Sequence, residues 1–354
     1  MHRTAVIYCT TLIVMGFTLS SVHADTTLQA DRWIDDFYKD INKHRIDVST
    51  ISSHPLRPVG QIGSNAVSDV AEWYLESTKG IVRQNSALWV ADYRSNQVLV
   101  GDLSSNEFVQ GFGMSGEGPG EFTRAEDILV DNDHIYVFDS GKRGVHVFNM
   151  HFQVEGFLRT GFGIANSIAL SDGLLLVPSR SANEHLFEIR ESAGAYSIVG
   201  RIGARVPGDI PGAYAHNQAL IAGNEAGLTA MAWYGLPYVV LYDSSHEVEY
   251  IIKIEGLEAC RRNPHPDNNR VSSCFNALKM GANGDVFVAS GNVIVRLPGL
   301  GREHQHALRY TLTDGTSANN VITPFGLAVS ENEVIVSTRS SGAVYRYILS
   351  EPSN

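Results

Sequence analysis

The sequence predicts an all-β chain, a six-bladed β-propeller of four-stranded antiparallel blades, and three observations predict it. Six segments repeat one pattern: a short apolar run, a tight polar turn and a second apolar run. They start at residues 80, 127, 167, 219, 277 and 326, so the spacing runs from 40 to 58 residues. That period suits a propeller blade, a sheet that cannot bury both faces until it stacks on its neighbours. The third observation is a displaced strand. Repeats one to three end in Gly111 to Gly113, Gly161 to Gly163 and Arg201 to Gly203, and a similar ending, Gln61 to Gly63, precedes the first hairpin. Leu56 to Ile62 is therefore expected to supply the outermost strand of the last blade, pairing the two ends of the chain and removing exposed edges.

Taken in order, residues 1–24 read as a secretory signal: Arg3, an apolar run from Ala5 to Leu19, and small residues before a cleavage site at Ala24. The run is shorter than the ~20 residues a spanning helix needs. The expectation is an exported chain, periplasmic or secreted, without a membrane span; a membrane anchor is the alternative. Residues 25–53 form an N-terminal helical segment. Trp33, Ile34, Phe37, Tyr38 and Ile41 recur at helical spacing, opposite Asp31, Asp35, Asp36, Lys39 and Asp40. Such a stripe covers an apolar patch or docks a partner. The propeller is assigned to residues 54–350 and a tail to 351–354.

Each blade opens with a hairpin: Gly80 to Asp92, Asp127 to Asp139, Ser167 to Pro178, Ala219 to Ala232, Ala277 to Ala289 and Gly326 to Ser337. Third strands are expected at Gln97 to Asp102, Val145 to Phe148, His185 to Ile189, Tyr238 to Tyr242, Val293 to Leu297 and Ala343 to Ile348. Of the three cysteines, Cys9 falls within the signal. Cys260 and Cys274 are expected to pair across a polar loop once in an oxidising compartment. Closing such a loop is worth about 3 kcal/mol in the chain-entropy model. A single cysteine pair is too sparse for zinc.

Residues Ile135 to Phe148, followed by Gly156 to Leu158 and Gly161 to Gly163, resemble the NHL repeat, and Leu88 to Val100 resembles a second copy. Gly116-Glu-Gly-Pro-Gly-Glu-Phe122 is similar to the linker between blades in exported bacterial six-bladed propeller proteins. The resemblance implies the fold. It implies little about activity, since that family includes protein-binding, sugar-binding and enzymatic members. In the linker, Gly116, Gly118 and Gly120 allow positive φ around Pro119, and Phe122 is expected to plug the groove between two blades.

In a four-stranded blade, the connections between blades and the turns from second to third strand share one face, where loops held by a rigid ring carry function. The positions before the inner strands are Lys79, Glu126 with Asp127, Asn166, Asn217 with Gln218, Asn276 and Phe325. The turns add Tyr93, Arg94, Lys142, Arg143, Arg180, Tyr234 and Arg339, with His216 in a nearby linker. Two functions compete. The first is a binding module with no cofactor. Its ligand, an acidic peptide, protein or glycan, would lie on an annulus of Lys79, Tyr93, Arg94, Glu126, Lys142, Arg143, Asn166, Arg180, Tyr234 and Arg339, where Arg offers bidentate contacts. The second is a hydrolase. Glu126, Asn166, Asn217 and Asn276 resemble the calcium centre of six-bladed lactonases and esterases, in which the metal polarises a carbonyl. An acidic ligand is replaced here by Asn276, and only His216 lies near to act as base. Asparagines that merely cap strand starts are the simpler reading of that set. A net charge of −11 excludes nucleic acid as the expected partner, because binding it needs clustered Lys and Arg.

Overall fold

The computed structural model describes residues 29–63, 75–159, 167–178, 184–192, 195–209, 213, 217–261, 273–299, 307–316, 322–338 and 343–349. The signal reading of residues 1–24 and the tail 351–354 lie outside them. So do Asn166, Arg180, His216, Arg339 and the Gly161 to Gly163 ending.

Three N-terminal strands, β1 (Asn42–Asp47), β2 (Ser53–Leu56) and β3 (Pro58–Gly63), precede the ring. Blade one is β4 (Thr78–Gln84), β5 (Ala87–Asp92), β6 (Gln97–Asp102) and β7 (Glu107–Phe112); blade two is β8 (Ala125–Val130), β9 (His134–Asp139), β10 (Gly144–Asn149) and β11 (Val154–Arg159). Blade three is β12 (Ala169–Ser171), β13 (Leu174–Pro178), β14 (Glu184–Ser192) and β15 (Ala195–Ala204). Blade four is β16 (Ala219–Gly223), β17 (Thr229–Trp233), β18 (Tyr238–Tyr242) and β19 (Val248–Glu255). Blade five is β20 (Ala277–Met280), β21 (Val286–Ser290), β22 (Val293–Leu297) and β23 (Leu308–Leu312). Blade six is β24 (Pro324–Val329), β25 (Glu333–Thr338) and β26 (Ala343–Ile348), completed by β3.

Strand alternation explains why the sheets must stack. Along β5, Leu88 and Val90 point into the core shared with blade six, beside Ile62, Ile335 and Val344. Trp89 and Ala91 point into the core shared with blade two, beside Ile128, Ile135 and Val137. Both faces are buried, so the second strands read as unbroken apolar runs. Equivalent cores join blades two and three, three and four, four and five, and five and six, which closes the circle.

The closing strand is present and antiparallel, with Ile62 opposite Val344 and Gly63 opposite Ala343. It starts at Pro58, two residues later than expected, because Leu56 belongs to another strand. β2 adds in parallel to β23 as a fifth strand of blade five, and β1 adds in parallel to β19 as a fifth strand of blade four. The sequence reading placed residues 25–53 in a helical segment and did not foresee β1. Its residues are mostly charged or polar and only Ile46 is buried, so no apolar alternation marks it. The helix itself covers residues 29–37. Ala30, Ile34 and Tyr38 are buried in the core between blades three and four, while Phe37 stays 56% exposed. The stripe therefore covers an apolar patch with part of its width. Among the described residues, no helix is long and apolar enough to cross a membrane.

Near the axis the blades approach closely. A Cβ on Gly80 would strike the main chain of Asp127, one on Gly223 the carbonyl of Leu170, and one on Gly326 the carbonyl of Lys79. Glycine is what lets neighbouring inner strands come this near. A disulfide joins Cys260 and Cys274 as expected, with the Cα atoms 4.5 Å apart.

Candidate functional site

The face that carries the connections between blades is organised by buried carboxylates at the ends of second strands. Asp139, fully buried, accepts hydrogen bonds from the N–H groups of Thr123 (2.8 Å), Arg124, Gly141 and Lys142 (each 3.0 Å) and from the Thr123 hydroxyl (2.9 Å). Asp92, in the same position of blade one, accepts from the N–H groups of Glu76, Ser77, Arg94 and Ser95. Each aspartate thus ties the incoming linker to the turn after β5 or β9. Their titration differs. Burial outweighs the backbone donors at Asp92 and pushes its carboxyl up. At Asp139 burial is overcome by His146 and the donors from Thr123 and Lys142, which hold the carboxyl well below its ordinary range.

On this scaffold several of the expected residues meet at the channel mouth. Glu126 is only 3% exposed; its Oε1 lies 2.6 Å from Arg124 Nε and its Oε2 lies 3.6 Å from Lys79 Nζ. Oε2 makes no hydrogen bond. The Arg124 guanidinium lies 5.6 Å from the centre of the Tyr93 ring, which in turn contacts Phe325 of blade six. Asn276 donates to the Pro324 carbonyl at 3.0 Å. Lys79, Tyr93, Glu126 and Phe325 are thereby one cluster drawn from blades one, two and six. Arg124 is its most exposed charged member, at 52% of its side chain, and the sequence reading missed it. It lies two residues ahead of Glu126, outside the inner-strand entries and turns that recur from blade to blade.

Other expected residues have structural duties. Lys142 donates from Nζ to the carbonyls of Gly118 and Glu121, both at 3.0 Å, and so staples the glycine-rich linker. In that linker only Gly120 has positive φ, at 76°. A Cβ on Gly116 would meet the Glu121 carboxylate, which would have to move aside. Phe122 is fully buried against Phe112, Phe148 and His146, the plug expected of it. Tyr234 contributes main-chain atoms, donating to Gln218 and accepting from Cys274. Arg94 is held through its N–H, and Arg143 occupies the left-handed region with φ 57°.

Of the residues offered for a hard cation, Asn166 lies outside the described residues, and Asn217 and Glu126 have other partners. Asn217 accepts from Val206 N–H and donates to Val206 C=O, both at 2.8 Å, so its amide clasps that residue. Glu126 is already faced by two cationic side chains. Among the described residues no group of three His, Cys, Asp or Glu side chains is placed to hold a metal ion.

A cavity of about 650 Å³ is lined by the second halves of the inner strands, with Ile81, Leu170, Ile221 and Met280 on its wall and Glu225 and Lys279 at its polar margin. Arg83 also lines it, but donates to Asn85 C=O, the Ser330 hydroxyl and the Glu333 carboxylate.

Comparison with known proteins agrees with this architecture. Residues 72–194, most of blades one to three, match the model of a family described as a 6-bladed beta-propeller. A protein of Bacteroides fragilis described as exported is similar over 88% of this chain and 99% of its own, with a TM-score of 0.59 at 14% identity. A protein of unknown function from Bacteroides thetaiotaomicron is similar over 84% of this chain and 75% of its own, with a TM-score of 0.52 at 14% identity. A calcium-binding protein, regucalcin, from Agrobacterium tumefaciens is similar over 85% of this chain and 98% of its own, with a TM-score of 0.54 at 10% identity. At these identities the likeness is one of fold. The ring of six cores, the seam made by β3 and these matches agree: the chain is a six-bladed β-propeller.

Proposed function

We propose that this protein is an exported binding module whose connection face recognises an anionic group on a peptide or glycan. The observation that supports this reading is the cluster at the channel mouth. Two cations, Lys79 and Arg124, converge on one buried carboxylate, Glu126, and leave a net positive charge on a protein of net charge −11. Arg124 uses Nε for Glu126, so its two terminal nitrogens remain for a ligand carboxylate or sulfate in bidentate geometry. Tyr93 and Phe325 flank the cluster with aromatic surface. Glu126 sets the position of both cations, as a supporting residue does in a built site.

The test is equilibrium binding of the purified mature chain to acidic peptides and uronate-containing oligosaccharides, with Lys79 and Arg124 replaced together by alanine. The double variant should bind at least about tenfold more weakly, a difference of ~1.4 kcal/mol, and salt should weaken the wild type more than the variant. Equal affinity of the two proteins would remove the cluster from consideration. Export is tested separately by fractionating cells that make the full chain. A mature form beginning after Ala24 outside the cytoplasm supports it; an uncleaved cytoplasmic product refutes it.

A further inference from the structure

The cavity of about 650 Å³ lies on the axis of the ring, because all six inner strands contribute to its wall. Its margin includes the turns that follow two of those strands, Asn224 to Ala226 and Ala282, whereas Lys79, Glu126 and Asn276 stand at or just before the starts of theirs. That margin therefore lies at the strand ends remote from the channel-mouth cluster. The size falls within the range of small-molecule sites.

One position of the repeat gives the cavity its charge. In five inner strands the side chain there turns toward the next blade and packs in or against the shared core: Val82, Leu129, Ala169, Ala222 and Ala328. In β20 the equivalent residue is Lys279, and all six line the cavity. β20 is the innermost strand of blade five, and Leu278 and Ala277 fill the cores on its two sides. The accessible part of Lys279 thus opens on the channel. It is half-buried and makes no ion pair or side-chain hydrogen bond among the described residues. A charge among apolar side chains is costly until an opposite charge joins it. The lining supplies none. Arg83 is a second cation, already held by Glu333, and Glu225 is exposed in the turn after β16.

Charge and surface together set the ligand. One ammonium matches one negative charge; a phosphate dianion would leave a charge unmatched, and a cationic ligand would meet a like charge. Around it the half-buried side chains of Val82, Leu170, Met280 and Val329 offer apolar surface. We propose that the channel cavity binds a monocarboxylate with an apolar body, its carboxylate on Lys279 Nζ and its hydrocarbon against these four side chains. The proposal does not depend on the cluster at the channel mouth.

The full mature chain is titrated calorimetrically with octanoate, acetate, octylammonium and, at mildly alkaline pH, octyl phosphate. In methionine-labelled protein the Met280 methyl signal, assigned by its loss in Met280→Leu, reports by NMR on this cavity alone. Octanoate should bind and shift that signal, and the other three should bind at least about tenfold more weakly. Lys279→Met places an apolar side chain where the other five blades already have one, so the fold should persist while octanoate binds at least about tenfold more weakly. Lys279→Arg keeps the charge and should retain most of the affinity. No binding of octanoate, an affinity unchanged by Lys279→Met, equal binding of octylammonium or octyl phosphate, or a Met280 signal that octanoate leaves in place would each overturn the proposal.

Discussion

Replacing Asp139 by asparagine tests the idea that the connection face is held in place by a buried charge. In the native structure Oδ2 accepts from Thr123 N–H and faces His146, while Oδ1 accepts from Arg124, Gly141, Lys142 and the Thr123 hydroxyl. Asparagine keeps an oxygen for the second group and turns an amino group toward the first. One buried N–H then has no acceptor, costing about 2 kcal/mol. The four remaining bonds lose their charge assistance, together about another 2 kcal/mol. The expected loss is about 4 kcal/mol, a large share of an ordinary domain's stability. Asp92→Asn should cost about half as much, because burial already favours its neutral form and no histidine supports it. The assay is urea unfolding at neutral pH, with amide exchange at Thr123, Arg124, Gly141 and Lys142. Acidification supplies the sign. Asp139 is held below its ordinary value of 3.8, so the stability it contributes is complete above that value and drains as the pH falls below it. The gap between wild type and Asp139→Asn should therefore narrow on acidification. Asp92, pushed above 3.8, acts in the opposite sense, contributing most at low pH and less as the pH rises. Equal losses for the two variants, or a gap that widens in acid, would refute the reasoning.

Gly80→Ala should force blades one and two apart where its Cβ meets the Asp127 main chain, costing ~1–3 kcal/mol by overpacking in thermal unfolding. Ile62→Ala empties a fully buried position at the seam and should cost ~2–5 kcal/mol, with faster proteolysis at neutral pH as a second readout. Cys260→Ser should lower stability by about 3 kcal/mol if the bridge acts through the unfolded chain. In the wild type both cysteines should resist alkylation until reduced, which is read by mass spectrometry.

The blades were legible because each inner hairpin is buried on two faces and so appears as apolar runs split by a polar turn. The expected third strands Gln97 to Asp102, Tyr238 to Tyr242, Val293 to Leu297 and Ala343 to Ile348 coincide with β6, β18, β22 and β26. The fifth strands were not legible, since an edge strand pairs through its backbone and asks little of its side chains. Lys79 and Glu126 could be found because they occupy the same step of consecutive repeats. Asn217, at the same step, and Lys142, in a turn, could not be interpreted from position alone. A lysine in a turn looks solvated until its stem is seen reaching 24 residues back to Gly118. An asparagine before a strand looks available until Val206 is seen on both ends of its amide. Arg124 escaped because its role comes from aiming at Glu126 and Tyr93, a relation of directions that spacing does not encode.

The path of residues 42–63 bears on how the chain comes to be folded. β1, β2 and β3 lie in turn on the rims of blades four, five and six, joining Asn42 to Tyr250, Ser53 to Arg309 and Gly63 to Ala343. All of their partners are made late, so the earliest ordered strands must wait for the last ones before they can dock. Such distant pairings make for slow acquisition of structure, and a ribosome leaves that stretch without its companions for most of synthesis. A delay of this kind favours any route that must keep a polypeptide unfolded until it has passed a narrow pore.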